Sequence, residues 1–104
     1  MFAQGDLLFI PVENIPFGLA QLSRKNGKIV LVEGEATGHA HTINGDKTEA
    51  WKDGKETVWL NIEEALAEVK HEEHATIQLP KGNYQVIKQR EYVTPQIKPR
   101  QITD

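Results

Sequence analysis

The sequence predicts a mainly β domain, a small antiparallel barrel or sandwich with room for one or two short helices. Three observations lead there. The apolar runs are short and rich in β-branched and aromatic residues, most clearly over 28–33 and 84–93. Turn dipeptides, Asn26-Gly27 and Asp53-Gly54, separate such runs. Runs and turns follow one another at near-regular spacing, which suits a sandwich or barrel better than a parallel sheet.

Taken in order, residues 6–12 (Asp-Leu-Leu-Phe-Ile-Pro-Val) are strand formers. Pro11 has no N–H for a ladder, so this strand lies at an edge or ends there. Over 14–24, Asn14 is a possible helix cap with Pro16 just inside, followed by Phe17 and Ala20, and a one- or two-turn helix is expected against the opposing tendency of Gly18. After the Asn26-Gly27 turn, 28–33 is the clearest strand. Gly34 and Gly38 bracket the approach to His39, where glycine permits a bend or a close backbone approach. Residues 39–43 form the next strand, stopped by Asn44-Gly45-Asp46. The runs 48–51 and 56–62 flank 52–55 as a hairpin.

Residues 61–74 carry two conflicting signals. Ile62, Ala65, Leu66 and Val69 sit at helical spacing, and Asn61 with Glu64 resembles a capping box. The flanking chain is all strand and turn, and tertiary context overrides propensity. The expectation is therefore an extended 65–71, with helix as the alternative. Residues 76–80 read as a strand, 81–83 as a turn, and 84–93 as the longest strand, expected to lie centrally. Pro95 and Pro99 mark an extended end. The organisation is one β domain over 1–94 and a tail over 95–104, a length that suits a single core.

The absence of cysteine excludes disulfides, cysteine-zinc sites and thiol nucleophiles. No signal peptide is visible near Met1, and the apolar runs are too short to span a bilayer, so the expectation is a cytoplasmic protein without a membrane role. A net charge of −3 argues against a nucleic-acid-binding surface overall. The middle, 49–73, is acidic, whereas Lys81, Lys88, Arg90, Lys98 and Arg100 make the end basic. That end reads as solvated, with a nucleic-acid or protein adaptor as the alternative. Exposed strand edges in so small a β domain favour a homodimer.

All four histidines fall in two short windows, His39-Ala40-His41 and His71-Glu72-Glu73-His74. Residues two apart on a strand share a face, so His39 and His41 project together. His71 and His74 share a face on a helix; on a strand His74 pairs with Glu72. Either geometry adds a histidine and a nearby carboxylate. His39, His41 and His74, with His71 and Glu72, are thus candidate ligands for a divalent metal such as Zn, Fe, Mn or Ni. The spacing is not the HExxH of zinc proteases. Three readings stay open: a metal site, a metal-free polar groove, and surface histidines. Tyr84, Gln85 and Arg90 are candidate contacts for a small-molecule ligand. Trp51, Trp59, Tyr84 and Tyr92 read as core or pocket wall, since a base-stacking platform needs more interleaved basic residues. Val30, Val32, Trp59, Ile77 and Val86 are the expected core.

Two resemblances add to this. Gly34, His39, His41, Asp46 and Gly54 resemble the first metal motif of the cupin superfamily, and His74 followed by Pro80-Lys81-Gly82 resembles part of the second. Asp46 stands where glutamate is usual, and Gln85 where the second motif has its histidine. The resemblance implies a small β-barrel with His39 and His41 as metal ligands and an oxygenase, isomerase or hydrolase activity. Gly38-His39-Ala40-His41 and His71-Glu72-Glu73-His74-Ala75, with Ile77, Leu79-Pro80, Gly82, Tyr84, Val86 and Gln89-Arg90-Glu91-Tyr92, resemble a family of small uncharacterised bacterial proteins. That likeness implies no activity.

Overall fold

A computed structural model describes residues 1–33, 39–55 and 57–89. Among these residues the chain is antiparallel β with no α-helix. The strands are β1 (Phe2–Gln4), β2 (Leu7–Val12), β3 (Ala20–Gln21), β4 (Lys28–Glu33), β5 (Ala40–Asn44), β6 (Thr48–Lys52), β7 (Val58–Lys70) and β8 (Ile77–Lys88). Their order is β1-β2-β8-β7-β5-β4, with β6 on a second stretch of the β7 edge and β3 beyond it. Among the described residues the sheet is not closed: the β class holds, without a complete barrel. Strand β8 lies between β2 and β7, so the described part of the expected 84–93 strand is central; it begins earlier, at Ile77, and β7 rather than this strand is the longest. No helix among the described residues is long and apolar enough to cross a membrane.

The shape turns on β7. One side of it pairs with β8 throughout. The other is shared by β6, from Thr48↔Ile62 to Lys52↔Val58, and by β5 at Thr42↔Lys70 and Ile43↔Val69. The change of partner falls at a bulge. Ile62 faces Gly82 and Leu66 faces Pro80, so Glu63, Glu64 and Ala65 stand opposite Lys81 alone. The bulge sends Glu64 into the turn between β5 and β6, where its carboxylate accepts the Lys47 N–H at 2.9 Å and the Thr48 hydroxyl. Gly45 leaves room for this, since a Cβ there would lie 2.6 Å from Glu64 Oε2.

The extended reading of 65–71 therefore holds, and the bulge explains its helical look. It resets the alternation: Ile62 faces inward before it, Ala67 and Val69 after it, and Leu66 is 53% exposed.

Leu7 and Phe9 of β2, Ile29 and Leu31 of β4, Ile43 of β5, Leu60 of β7 and Val86 of β8 meet in one core. Of the expected core, Val86 is buried, and Val32 and Ile77 pack at its margin. Val30 and Trp59 are corrections. Ile29 and Leu31 take the inward positions of β4 and leave Val30 outside, while Trp59 faces Trp51 across β6 and β7, both half-buried.

Two further expectations are corrected. Residues 14–24 hold no helix: Gly18 sits at φ +79, and only the short β3 forms, against β6. Residues 81–83 are not a turn but lie inside β8, opposite the bulge. The turns with strong dipeptides stand. Asn26 and Gly27 have φ of +54 and +77, as a type I′ turn requires, and the Asp53 carboxylate accepts the N–H groups of Lys55 and Thr57 in the β6–β7 loop. Pro11 is locally at an edge, because β1 covers β2 only from Leu7 to Phe9. Gly34, Gly38, Arg90, Tyr92 and the tail lie outside the described residues.

Candidate functional site

Strand register brings the two histidine windows together. Pairing of Ile43 with Val69 and Thr42 with Lys70, carried further, sets His41 opposite His71, Ala40 opposite Glu72 and His39 opposite Glu73. The contacts follow that register. The His41 and His71 ring centroids are 4.3 Å apart. The Ala40 N–H donates to Glu72 Oε1 at 2.9 Å, and His39 Nδ1 lies 3.6 Å from Glu73 Oε2. His74, in the turn between β7 and β8, is 4.6 Å from His71 and 6.2 Å from His41, the latter pair nearly parallel at 10°. His39 is 5.7 Å from His71. All four histidines meet, and His71 stands in the middle of them.

Alternation explains which way they face. On β5, His41 and Ile43 are buried and their neighbours are not; on β7, Ala67 and Val69 are buried, and His71 continues the same phase. His41 is only 6% exposed.

A buried imidazole needs partners, and Gln4, at the end of β1, provides one. Its amide nitrogen donates to the carbonyls of Val69 at 2.8 Å and Ala75 at 2.9 Å. The amide oxygen therefore faces His41, whose Nδ1 lies 2.8 Å away. An oxygen can only accept, so His41 carries its proton on Nδ1 and its lone pair on Nε2. Burial, and then His71, lower the His41 pKa from 6.5 to about 4, with Asp6 opposing, His74 adding to the lowering and Glu72 opposing. His41 is a neutral imidazole at pH 7.

The rest of the cluster is organised by the turn itself. His71 Nδ1 accepts the Glu73 N–H at 3.0 Å, so a neutral His71 holds its proton on Nε2. The Ala40 N–H, then Glu72's own backbone N–H, and after them the His39 and His71 side chains, hold the Glu72 carboxyl below its usual range. The His74 ring lies over Gly5. A Cβ at Gly5 would come within 2.6 Å of His74 Nε2, and Gly5 has φ +60, so glycine is needed both for the turn and for the ring above it. As the side chains lie, no three or more histidine, aspartate or glutamate groups among the described residues converge on a common point in a metal-binding arrangement.

The other candidate residues lie elsewhere. Tyr84 is buried in the core, edge-on to Phe2, with its hydroxyl donating to the Pro80 carbonyl at 2.8 Å; burial pushes its phenol pKa up. Gln85 sits on β8 between Ile10 and Trp59. Gln4, Gly5 and Asp6 were not legible as site residues. Gly5-Asp6 is a turn dipeptide whose recognition would have added β1 to the sheet, but nothing local says that Gln4 reaches β7.

An open antiparallel sheet with four histidines gathered at one end defines a small β domain with a histidine-lined polar site. The chain belongs to the family described as Domain of unknown function (DUF8820), which matches residues 3–89 and so takes in the whole cluster. No curated protein and no solved structure matches the chain. The family match agrees with the likeness to uncharacterised proteins.

Proposed function

We propose that the histidine cluster binds one divalent first-row metal ion, anchored on His41 Nε2, with His39 and His74 as further ligands and His71 or Glu72 as the fourth. The Gln4 clamp carries this reading. Metal-binding histidines characteristically donate the second ring N–H to a fixed acceptor, which sets the tautomer and orients the ring. Gln4 does this for His41, and burial keeps the ring neutral, the form that binds metal. Loading requires the partner rings to turn, and His71 to release the Glu73 N–H if it uses Nδ1. Imidazole donors suit Zn, Fe and Ni; Mn would draw more on the carboxylates. Of the cupin-like pattern this reading keeps His39 and His41. Asp46 and Gln85 are not among the described groups that act on His41, and the β7–β8 turn takes their place.

The second reading is a metal-free binding site for a small ligand. It is favoured by the His71 Nδ1 bond to Glu73, which leaves that nitrogen engaged. Calorimetric titration of chelator-treated protein with Zn, Ni, Fe and Mn, followed by elemental analysis, separates the two. The expected result is one ion per chain for the wild type and none for His41→Ala, whose circular dichroism keeps its β signature. A wild type that takes up none of the four metals leaves the metal-free reading.

A further inference from the structure

Because the sheet stays open, a cleft of about 720 Å³ separates β4 from β2 and β8, and no histidine lines it. Its floor is apolar: Leu7, Leu31 and Val86 contribute to it, each at most 5% exposed. Its rim is basic. Lys25, Lys28 and Lys88 line it together with Lys52, and Glu33 is the one carboxylate among the described lining residues. This concentration of positive charge occurs in a chain of net charge −3.

The lysines are placed where their own repulsion is unfavourable. Lys25 and Lys28 flank the Asn26-Gly27 turn and exchange both backbone hydrogen bonds, at 2.8 and 2.9 Å, so they stand directly opposite each other. Like charges in that position destabilise a β pair. Elsewhere, Lys70 pairs with Glu68 at 3.8 Å and Lys81 with Glu63 at 3.9 Å. Among the described residues, no carboxylate forms such a pair with Lys25, Lys28 or Lys88. An anion at the rim would relieve the repulsion, and the apolar floor would take an apolar body. The cleft volume falls within the usual range for small-molecule sites, about 300–1,000 Å³.

We propose that this cleft binds a small amphipathic anion, an apolar body that carries a carboxylate or phosphate head, with the head at Lys25, Lys28 and Lys88 and the body over Leu7, Leu31 and Val86. Ammonium groups act as point charges without the forked geometry of arginine, so either head suits them. The site is separate from the histidine cluster and does not depend on metal.

The test uses the fluorescent probe anilinonaphthalene sulfonate on the intact chain, with competition by dodecanoate, dodecyl phosphate, dodecanol and inorganic phosphate. The expected result is saturable binding of one probe per chain. Dodecanoate and dodecyl phosphate should displace it at roughly tenfold lower concentration than dodecanol or inorganic phosphate. Added salt should weaken binding. The double variant Lys28→Glu/Lys88→Glu should lose about tenfold or more in affinity, and Lys28→Gln/Lys88→Gln, which adds no acidic charge, should lose less. Circular dichroism checks that both fold; should the acidic variant fail to fold, the glutamine variant decides alone. Dodecanol competing as well as dodecanoate would overturn the proposal. So would inorganic phosphate competing as well as dodecyl phosphate, or a folded glutamine variant with wild-type affinity.

Discussion

The pairing of Gln4 with His41 joins three parts of the chain through one side-chain amide: β1, β5 and the two ends of the β7–β8 turn. Gln4→Ala removes the acceptor for the buried His41 N–H and one donor to the Val69 carbonyl. The expected cost is about 1–3 kcal/mol, measured by urea unfolding. If the site holds metal, the same substitution should lower affinity by about 10–100-fold, as loss of an orienting partner does. A pH dependence follows from His41. Its folded pKa of about 4 lies below its unfolded value of 6.5, so the unfolded chain takes up the proton first. Stability is complete above about pH 6.5, falls as the pH drops toward 4, and levels off below, a total of up to about 3 kcal/mol. Asp6 and Glu72 face His41 and oppose the shift; His71 and His74 reinforce it. Urea unfolding of chelator-treated protein between pH 4 and 7 should show this slope, and His41→Gln should flatten it.

Among the elements, turns and the bulge do most to shape the site. The β1–β2 turn holds the His74 ring over Gly5. In Gly5→Ala the backbone must keep φ +60 with a Cβ present, at about 1–2 kcal/mol, and the His74 ring must also move away. The expected outcome is a lower melting temperature together with weaker metal uptake in the titration. The bulge in β7 lets one strand serve both β6 and β5, and Glu64 fastens it to the β5–β6 turn. Glu64→Ala removes the acceptor for the Lys47 N–H and the Thr48 hydroxyl. About 1 kcal/mol of stability should be lost, read from the urea midpoint, with the histidine site unchanged because β5 still pairs with the end of β7.

For the molecule as a whole, β7 and β8 form the longest ladder and sit in the middle of the sheet. Their backbone groups open only when the sheet itself opens, whereas β1 and β3 each pair along one side over a few residues. Native-state hydrogen exchange should therefore be slowest in Leu60, Ala67, Leu79 and Val86 and fastest in β1 and β3. Uniform protection across all strands would contradict this. The open edge that prevents barrel closure is also what creates the lysine-rimmed cleft, so one feature of the topology bears on both stability and binding.

Local chemistry alone was enough for the β class and for most turns. Asn26-Gly27 adopts positive φ at both residues because asparagine and glycine tolerate it, and that preference acts without help from the rest of the chain. The shared face of His41 and Ile43 likewise follows from the two-residue repeat of any strand. What tertiary structure decided was everything that depends on which strands pair and in what register. The apolar spacing over 62–69 fits a helix or a bulged strand equally well, and the neighbours on both edges of β7 settled it. His71 stands at the centre of the cluster because β5 pairs with the end of β7, and Gln4 belongs to the site because β1 lies beside β2 at that end. Those contacts span 37 residues in one case and 65 in another. Side-chain preference is a local property, whereas a hydrogen bond across such a distance exists only after the sheet has formed.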